Sequence, residues 1–303
     1  MNAPTATRLR LVLGFAAIYI LWGSTYLAIR WGVATIPPFV MGAVRFLFAG
    51  VALYAWCRVR GAAKPSALEW RNAAIIGALL LFIGNGAVSW SEQRVSSGMT
   101  SLVLASVPLW MVLCERVLGK KPTVLQLVGV AVGLVGVGLL VLPADGAKSA
   151  AIDPVGALVL TLGALSWTAG SLFSRRAVLA KPAALAIAMQ MLAAGVLLLV
   201  LAGLTGQLQA TDVSAVSSRS ALSVVYLIVF GSLVGFSAYM WLLQVASPTA
   251  VGTYAYVNPV VAVLLGVMLG GEELPPQAIL AMIVIVGGVA MVSLAPRFRS
   301  GTK

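Results

Sequence analysis

Polar and aromatic side chains set inside long apolar runs are the residues of this chain that could do chemistry. Trp22, Ser24, Thr25 and Tyr26 share one run, Asn85, Ser89 and Trp90 a second, and Trp110 stands in a third. Further along come Trp167 and Ser171, then Gln190, then Tyr239, and finally Thr253, Tyr254, Tyr256 and Asn258. Hydroxyls, amides and indoles can accept from an ammonium, donate to a carboxylate and wall an apolar side chain without fixed charge. That set suits weak, reversible binding of a small molecule. Each residue also has a plainer use. Ser and Thr bond their own or a neighbouring helix at about 0.6 kcal/mol per pair, and Trp or Tyr near run ends form belts at the lipid headgroups. Trp31, Trp56 and Trp70 fit the belt, whereas Trp22 and Trp167 lie mid-run. Pro108 and Pro259 each withhold a backbone hydrogen bond mid-run and are candidate hinges, with packing as the alternative. Arg45 is the one full charge well inside a run. Left uncompensated it costs at least about 2.5 kcal/mol there, so it snorkels outward, anchors to carbonyls or meets a substrate carboxylate in a wet interior.

The rest of the composition says what must position these groups. The chain is 61% hydrophobic and 9% charged, with a mean hydropathy of +1.03. Soluble domains carry roughly 25% charge. Runs long enough for a bilayer, about 20 residues each, follow one another with short polar breaks. The runs are too long and too uniformly apolar for barrel strands. The fold class is therefore all-α and polytopic, with the lipid bilayer as its surroundings. A net charge of +12 could suggest nucleic acid, but the basic residues sit in short loops rather than on one face, so no nucleic-acid partner is expected. Cys57 and Cys114 form no disulfide framework. The absence of His removes imidazole metal sites and His-based catalysis. Without paired buried carboxylates, intramembrane protease chemistry has no residues to use, and neither cofactor nor enzyme activity is expected. The chain shows no filter or ring of charges of the kind a channel uses.

Ten spans are expected, at about 11–33, 38–57, 72–91, 97–117, 124–142, 154–174, 182–204, 220–243, 247–270 and 276–295. The first follows Arg8 and Arg10 as a signal peptide would, but it is longer than such a segment and reads as uncleaved. Of the 20 Lys and Arg residues, fifteen fall on one set of alternate loops and four on the other, with Arg45 inside a span. Positive-inside reasoning then makes both termini cytoplasmic.

The spans repeat. At an offset of 145, Trp22, Arg30, Pro37, Leu47 and Gly50 match Trp167, Arg175, Pro182, Leu192 and Gly195. At 151, Gly84, Trp90, Gln93, Pro108 and Leu113 match Gly235, Trp241, Gln244, Pro259 and Leu264. The units are residues 1–143, residues 150–296 and a basic tail, 297–303. Five spans per unit is odd, so the second unit is inverted, as in many secondary transporters that hold substrate near the midplane. Gly129, Gly133, Gly136 and Gly138, with Gly287 and Gly288, should let the fifth and tenth spans pack closely.

Leu21-Trp22-Gly23-Ser24-Thr25-Tyr26, Pro37-Pro38, Gly42-Ala43-Val44-Arg45-Phe46, Pro108 and Asn258-Pro259 resemble the drug/metabolite transporter superfamily, in its ten-helix EamA-type branch. The likeness covers nearly the whole chain. It implies an inner-membrane exporter, similar to exporters of amino acids including aromatic ones, with a polyspecific drug exporter or a lipid-type carrier as the alternative. A monomer suffices for that fold. The small multidrug members of the superfamily use a membrane carboxylate as the shared proton and cation site. This chain departs from that pattern: Glu92, Asp145, Asp153, Asp212, Glu272 and Glu273 all read as outer, and Glu69 and Glu115 as inner. Facilitated efflux is the simpler expectation.

Overall fold

A computed structural model describes residues 5–119, 121–141, 153–245, 254–273 and 276–294. Among them every regular element is helical and none is a strand. In chain order the rods are α1 (Leu9–Gly32), α2 (Pro38–Val59), α3 (Ala67–Ser91), α4 (Ser97–Val117) and α5 (Val124–Val141), then α6 (Pro154–Ser174), α7 (Ala183–Leu204), α8 (Ser218–Tyr239), α9 (Tyr254–Gly270) and α10 (Pro276–Leu294). Seven are long and apolar enough to cross a membrane; α5, α9 and α10 are shorter and equally apolar. Leu13, Phe48, Leu162 and Ile283 stand exposed on the rods, as a hydrocarbon solvent permits.

Local chemistry explains where the rods begin. Ser66 and Glu69 form a reciprocal capping box, so α3 starts five residues before the hydropathy pattern suggests. Ser96, Asp153 and Ser217 accept bonds from the first-turn nitrogens of α4, α6 and α8. Pro38 and Pro154 occupy the first turn, where a missing N–H costs nothing.

Glycine sets the closest approaches. α2 packs on α7 where a Cβ on Gly50 would lie 3.0 Å from the Leu192 nitrogen. One on Gly195 would lie 3.0 Å from the Leu47 nitrogen. Gly84 abuts the Trp167 ring, and Gly235 abuts that of Trp22. α5 packs on α10 through Gly129 and Gly136, which meet the Gly288 carbonyl and Ile285, and through the backbone of Gly133, which Gly288 abuts; the open face of Gly133 meets Leu109 of α4. Gly138 and Gly287 face open space instead, so those two do not serve the contact expected of them. α3 packs on α6 and α1 on α8, while α4 meets α6 and α1 meets α9.

The two prolines differ. α4 is broken into Ser97–Leu104 and Val107–Val117, with Pro108 in the first turn of the second piece. Pro259 lies inside α9, which the described residues show as one helix. Three rods also carry π-helical segments: Ala17–Leu21 in α1, Gly77–Asn85 in α3 and Leu227–Val234 in α8. Periodicity gave no sign of them.

Candidate functional site

A π segment carries an extra residue and loosens the carbonyl ladder, and in hydrocarbon a loosened carbonyl must find another donor. Each of the three finds one on a neighbouring rod. Ser166 of α6 donates to the Leu79 carbonyl at 2.8 Å. The Trp22 indole of α1 donates to the Gly231 carbonyl at 3.3 Å. The Asn258 amide nitrogen, turned toward α1, donates to Ile18 and Tyr19 at 3.2 Å and to Tyr254 at 3.3 Å. The Tyr254 carbonyl is four residues back, beside the gap that Pro259 leaves in the ladder.

The α3 segment borders a central cavity of about 90 Å³, and the α1 and α8 segments lie next to rod residues that line it. α1 lines it with Trp22, Thr25, Tyr26 and Ile29, and α3 with Gly84, Asn85 and Val88. Leu104 and Val107 enter at the break in α4, Gly163 and Trp167 from α6, and Tyr254 and Asn258 from α9. Arg45 of α2 and Phe236 beyond the π segment of α8 complete it.

Arg45 is the group that gives the cavity its chemistry. It is 3% exposed, yet its Nε donates to the Ser232 hydroxyl at 2.9 Å and its Nη1 to the Asn85 Oδ1 at 3.2 Å. Both partners are neutral side chains, not the backbone carbonyls weighed from the sequence. Its guanidinium also sits 4.9 Å from the centre of the Phe46 ring. A guanidinium has five N–H donors in a planar fork, so the positive charge reaches the cavity with donors to offer. Around it, Trp22 packs on Tyr239 at 4.9 Å, Phe236 at 5.3 Å and Tyr254 at 5.5 Å between ring centres. The Trp167 indole lies beside the Tyr254 hydroxyl.

Of the residues singled out in the sequence, Trp22, Thr25, Tyr26, Asn85, Trp167, Tyr254 and Asn258 converge on the cavity. The others are used elsewhere. Ser89 is buried away from the cavity, and Trp90 lies under the Arg94 guanidinium at 4.2 Å. Trp110 bonds the Ser106 hydroxyl, and Ser171 bonds the Trp167 carbonyl one turn back. Gln190 packs its backbone on Gly77, and Tyr239 forms a second layer behind Trp22. Ser24 turns away to the Tyr226 hydroxyl at 2.6 Å. Thr253 and the Tyr256 side chain lie outside the described residues.

Each end of the bundle is tied across the cavity. At one, Arg30 of α1 donates to the Glu92 and Val95 carbonyls, and Glu272 accepts from the Ser97 nitrogen at 2.7 Å and the Gly98 nitrogen at 3.1 Å. At the other, Arg175 beyond α6 pairs with Glu115 of α4 at 3.4 Å.

Comparison with known proteins places this arrangement. The model of the EamA-like transporter family matches residues 9–142 and again residues 154–294. The chain belongs to that family. It is a membrane transporter, multi-pass in the inner membrane. It is 44% identical over 280 residues to the uncharacterized inner membrane transporter YedA of Escherichia coli, covering 92% of this chain and 89% of that one. It is 27% identical over 279 residues to the probable terminal-alkyne amino-acid exporter of Streptantibioticus cattleyicolor, covering 90% of each. A crystal structure at 24% identity superposes with a TM-score of 0.65 over 94% of this chain and 97% of that one, a likeness of fold.

Proposed function

We propose that the chain exports amino acids and related small metabolites through the central cavity, which two inverted five-helix halves open to each side in turn. One observation carries the substrate class. Arg45 stands in a wall that is otherwise uncharged, offering a carboxylate a charged donor while Trp22, Trp167, Tyr26 and Tyr254 accept an apolar side chain. The relative named as an amino-acid exporter points the same way.

The halves, residues 1–143 and 150–296, are supported by contacts that exchange partners. Gly50 packs on Leu192 and its equivalent Gly195 packs on Leu47; Gly84 meets Trp167 as Gly235 meets Trp22. The family model matches once per half. With ten spans and the basic loops inside, both termini are cytoplasmic, the Arg30 end is outer and the Arg175 end inner. The break at Pro108 and the Asn258–Pro259 site in α9 are where the halves bend.

Counterflow in proteoliposomes tests this. Vesicles loaded with an unlabelled aromatic amino acid should accumulate the labelled one, and its decarboxylated amine should fail to compete. Competition by the amine as strong as by the amino acid would remove Arg45 from substrate recognition and favour a polyspecific drug exporter.

A further inference from the structure

The outer end holds a polar group that the cavity does not use. Glu92 follows α3 directly and is fully buried, and neither of its carboxylate oxygens has a hydrogen-bond partner. The hydroxyls of Ser97 and Thr100, in the first turn of α4, are buried and unpartnered too. Beyond α9 the Glu272 carboxylate folds back over Gly266 to cap α4. A Cβ at Gly266 would collide with that carboxylate and would lie 3.1 Å from the Ser97 hydroxyl. Arg30 of α1 stands alongside but directs its guanidinium to the Glu92 and Val95 carbonyls. Tyr26, one turn further into α1, lies within electrostatic reach of Glu92 and also lines the cavity. At the rim, Arg94 and Asp153 at the start of α6 pair with each other at 3.7 Å. Among the described residues the charged or titratable groups facing Glu92 are therefore Glu272, Arg30 and Tyr26, with the Arg94–Asp153 pair outside them.

A buried carboxylate without donors neutralises rather than stay charged. Burial, with the Glu272 carboxylate beside it, holds the Glu92 carboxyl well above the ordinary range, and Arg30 opposes this less strongly. We propose that Glu92 is a proton-binding site that latches the outer mouth of the transporter: the closed mouth holds a proton on Glu92, and opening solvates the group and releases the proton to the external water. This rests on the transporter reading and its sidedness. Closed Glu92 binds protons more tightly than open Glu92, so between the ordinary glutamate range and the raised closed-state value the closed form carries the extra proton. Within that window closure is favoured at low external pH and lost as pH rises. The equivalent position in the second half is Leu243, so the inner mouth lacks such a latch.

The test places one reporter cysteine in the cavity wall, Val88→Cys, with Cys57 and Cys114 replaced by alanine. An impermeant thiol reagent is then applied from the outside in right-side-out vesicles. Labelling should rise with external pH by up to about tenfold per pH unit across the window, as release of one proton requires. Glu92→Gln should label slowly and flatly, Glu92→Asp should keep the pH response, and Glu272→Gln should move it to lower pH. A monodisperse, heat-resistant Glu92→Gln protein shows that flatness is not misfolding. The same pH response in wild type and Glu92→Gln overturns the site. So does a response to sodium at fixed pH that Glu92→Gln removes, which would make it a cation site. A reporter that no reagent reaches from either side would instead defeat alternating access itself.

Discussion

Arg30 and Arg175 stand at equivalent places in the two halves, and what each holds differs. Arg175, half-exposed at one end of the bundle, makes an ordinary ion pair with Glu115. Arg30, at the opposite end, is drawn to backbone carbonyls, while two carboxylates crowd the space beside it. The position equivalent to Glu115 in the second half is Gly266, and the Glu272 carboxylate fills the room that glycine leaves. So both ends put an arginine beside a carboxylate, but the Arg30 end adds Glu92, where the second half has leucine. The same asymmetry runs into the cavity: Arg45 of the first half corresponds to Gln190 of the second. Arg45 faces the cavity, whereas Gln190 lies outside it against α3. The family model matches both stretches, and Arg45 and Glu92 of the first correspond to Gln190 and Leu243 of the second.

That comparison breaks most sharply at Arg45. Removing one partner of a buried charged pair costs about 2–5 kcal/mol, so Arg45→Gln should raise the apparent KM for an amino acid by about thirtyfold or more, with Arg45→Lys recovering part of it. Gln190→Ala should leave KM within about threefold of wild type, since a polar contact off the pathway is worth little. Equal losses in the two variants would mean that both halves carry the substrate.

The two tryptophans separate next. Trp22→Phe leaves the Gly231 carbonyl in a π segment without its donor, so thermal unfolding in detergent should register a loss of about 1–3 kcal/mol. Trp167→Phe changes the cavity wall beside Tyr254 without leaving a π-segment carbonyl bare, and should reduce transport more than stability. The reverse ranking would exchange their roles.

Much of this was legible in the chain before its structure. Trp22 and Trp167 stood out because an indole placed mid-span has no headgroup to meet, and the repeat paired them. The partner exchange of Gly50 and Gly195 was implicit in the same offset. The residues that lie off the cavity do so for a physical reason: hydropathy marks depth along a rod but not the direction a side chain faces. Trp90 and Ser171 lie at suitable depths and face elsewhere, one under Arg94 and the other back on its own helix. The π segments were invisible because their extra residue is selected by contacts with Ser166, Trp22 and Asn258 from other rods. Glu92 read as a loop charge because it lies one residue past a span. Its burial comes from α1, α4 and the turn after α9, which no local pattern reports.

The smallest expected effect belongs to the inner tie. Arg175 is 53% exposed at its side chain, and pairs of that kind contribute about 0.2–1 kcal/mol. Glu115→Gln should therefore shift the resting balance toward the inward-open form by no more than about fivefold, and less at high salt. A large, salt-insensitive shift would make the two ends more alike than their burial implies.

The central claim is that the two ends close alternately around one cavity, and pulsed electron–electron distance measurements test it most directly. One spin-label pair, on Ala34 and Glu273, spans the outer end; another, on Arg116 and Arg176, spans the inner end, and all four positions are exposed. On addition of an amino acid, or of acid, the account predicts that the distances change in opposite directions, one population lengthening as the other shortens. Distances that lengthen together, or that never respond, would contradict it.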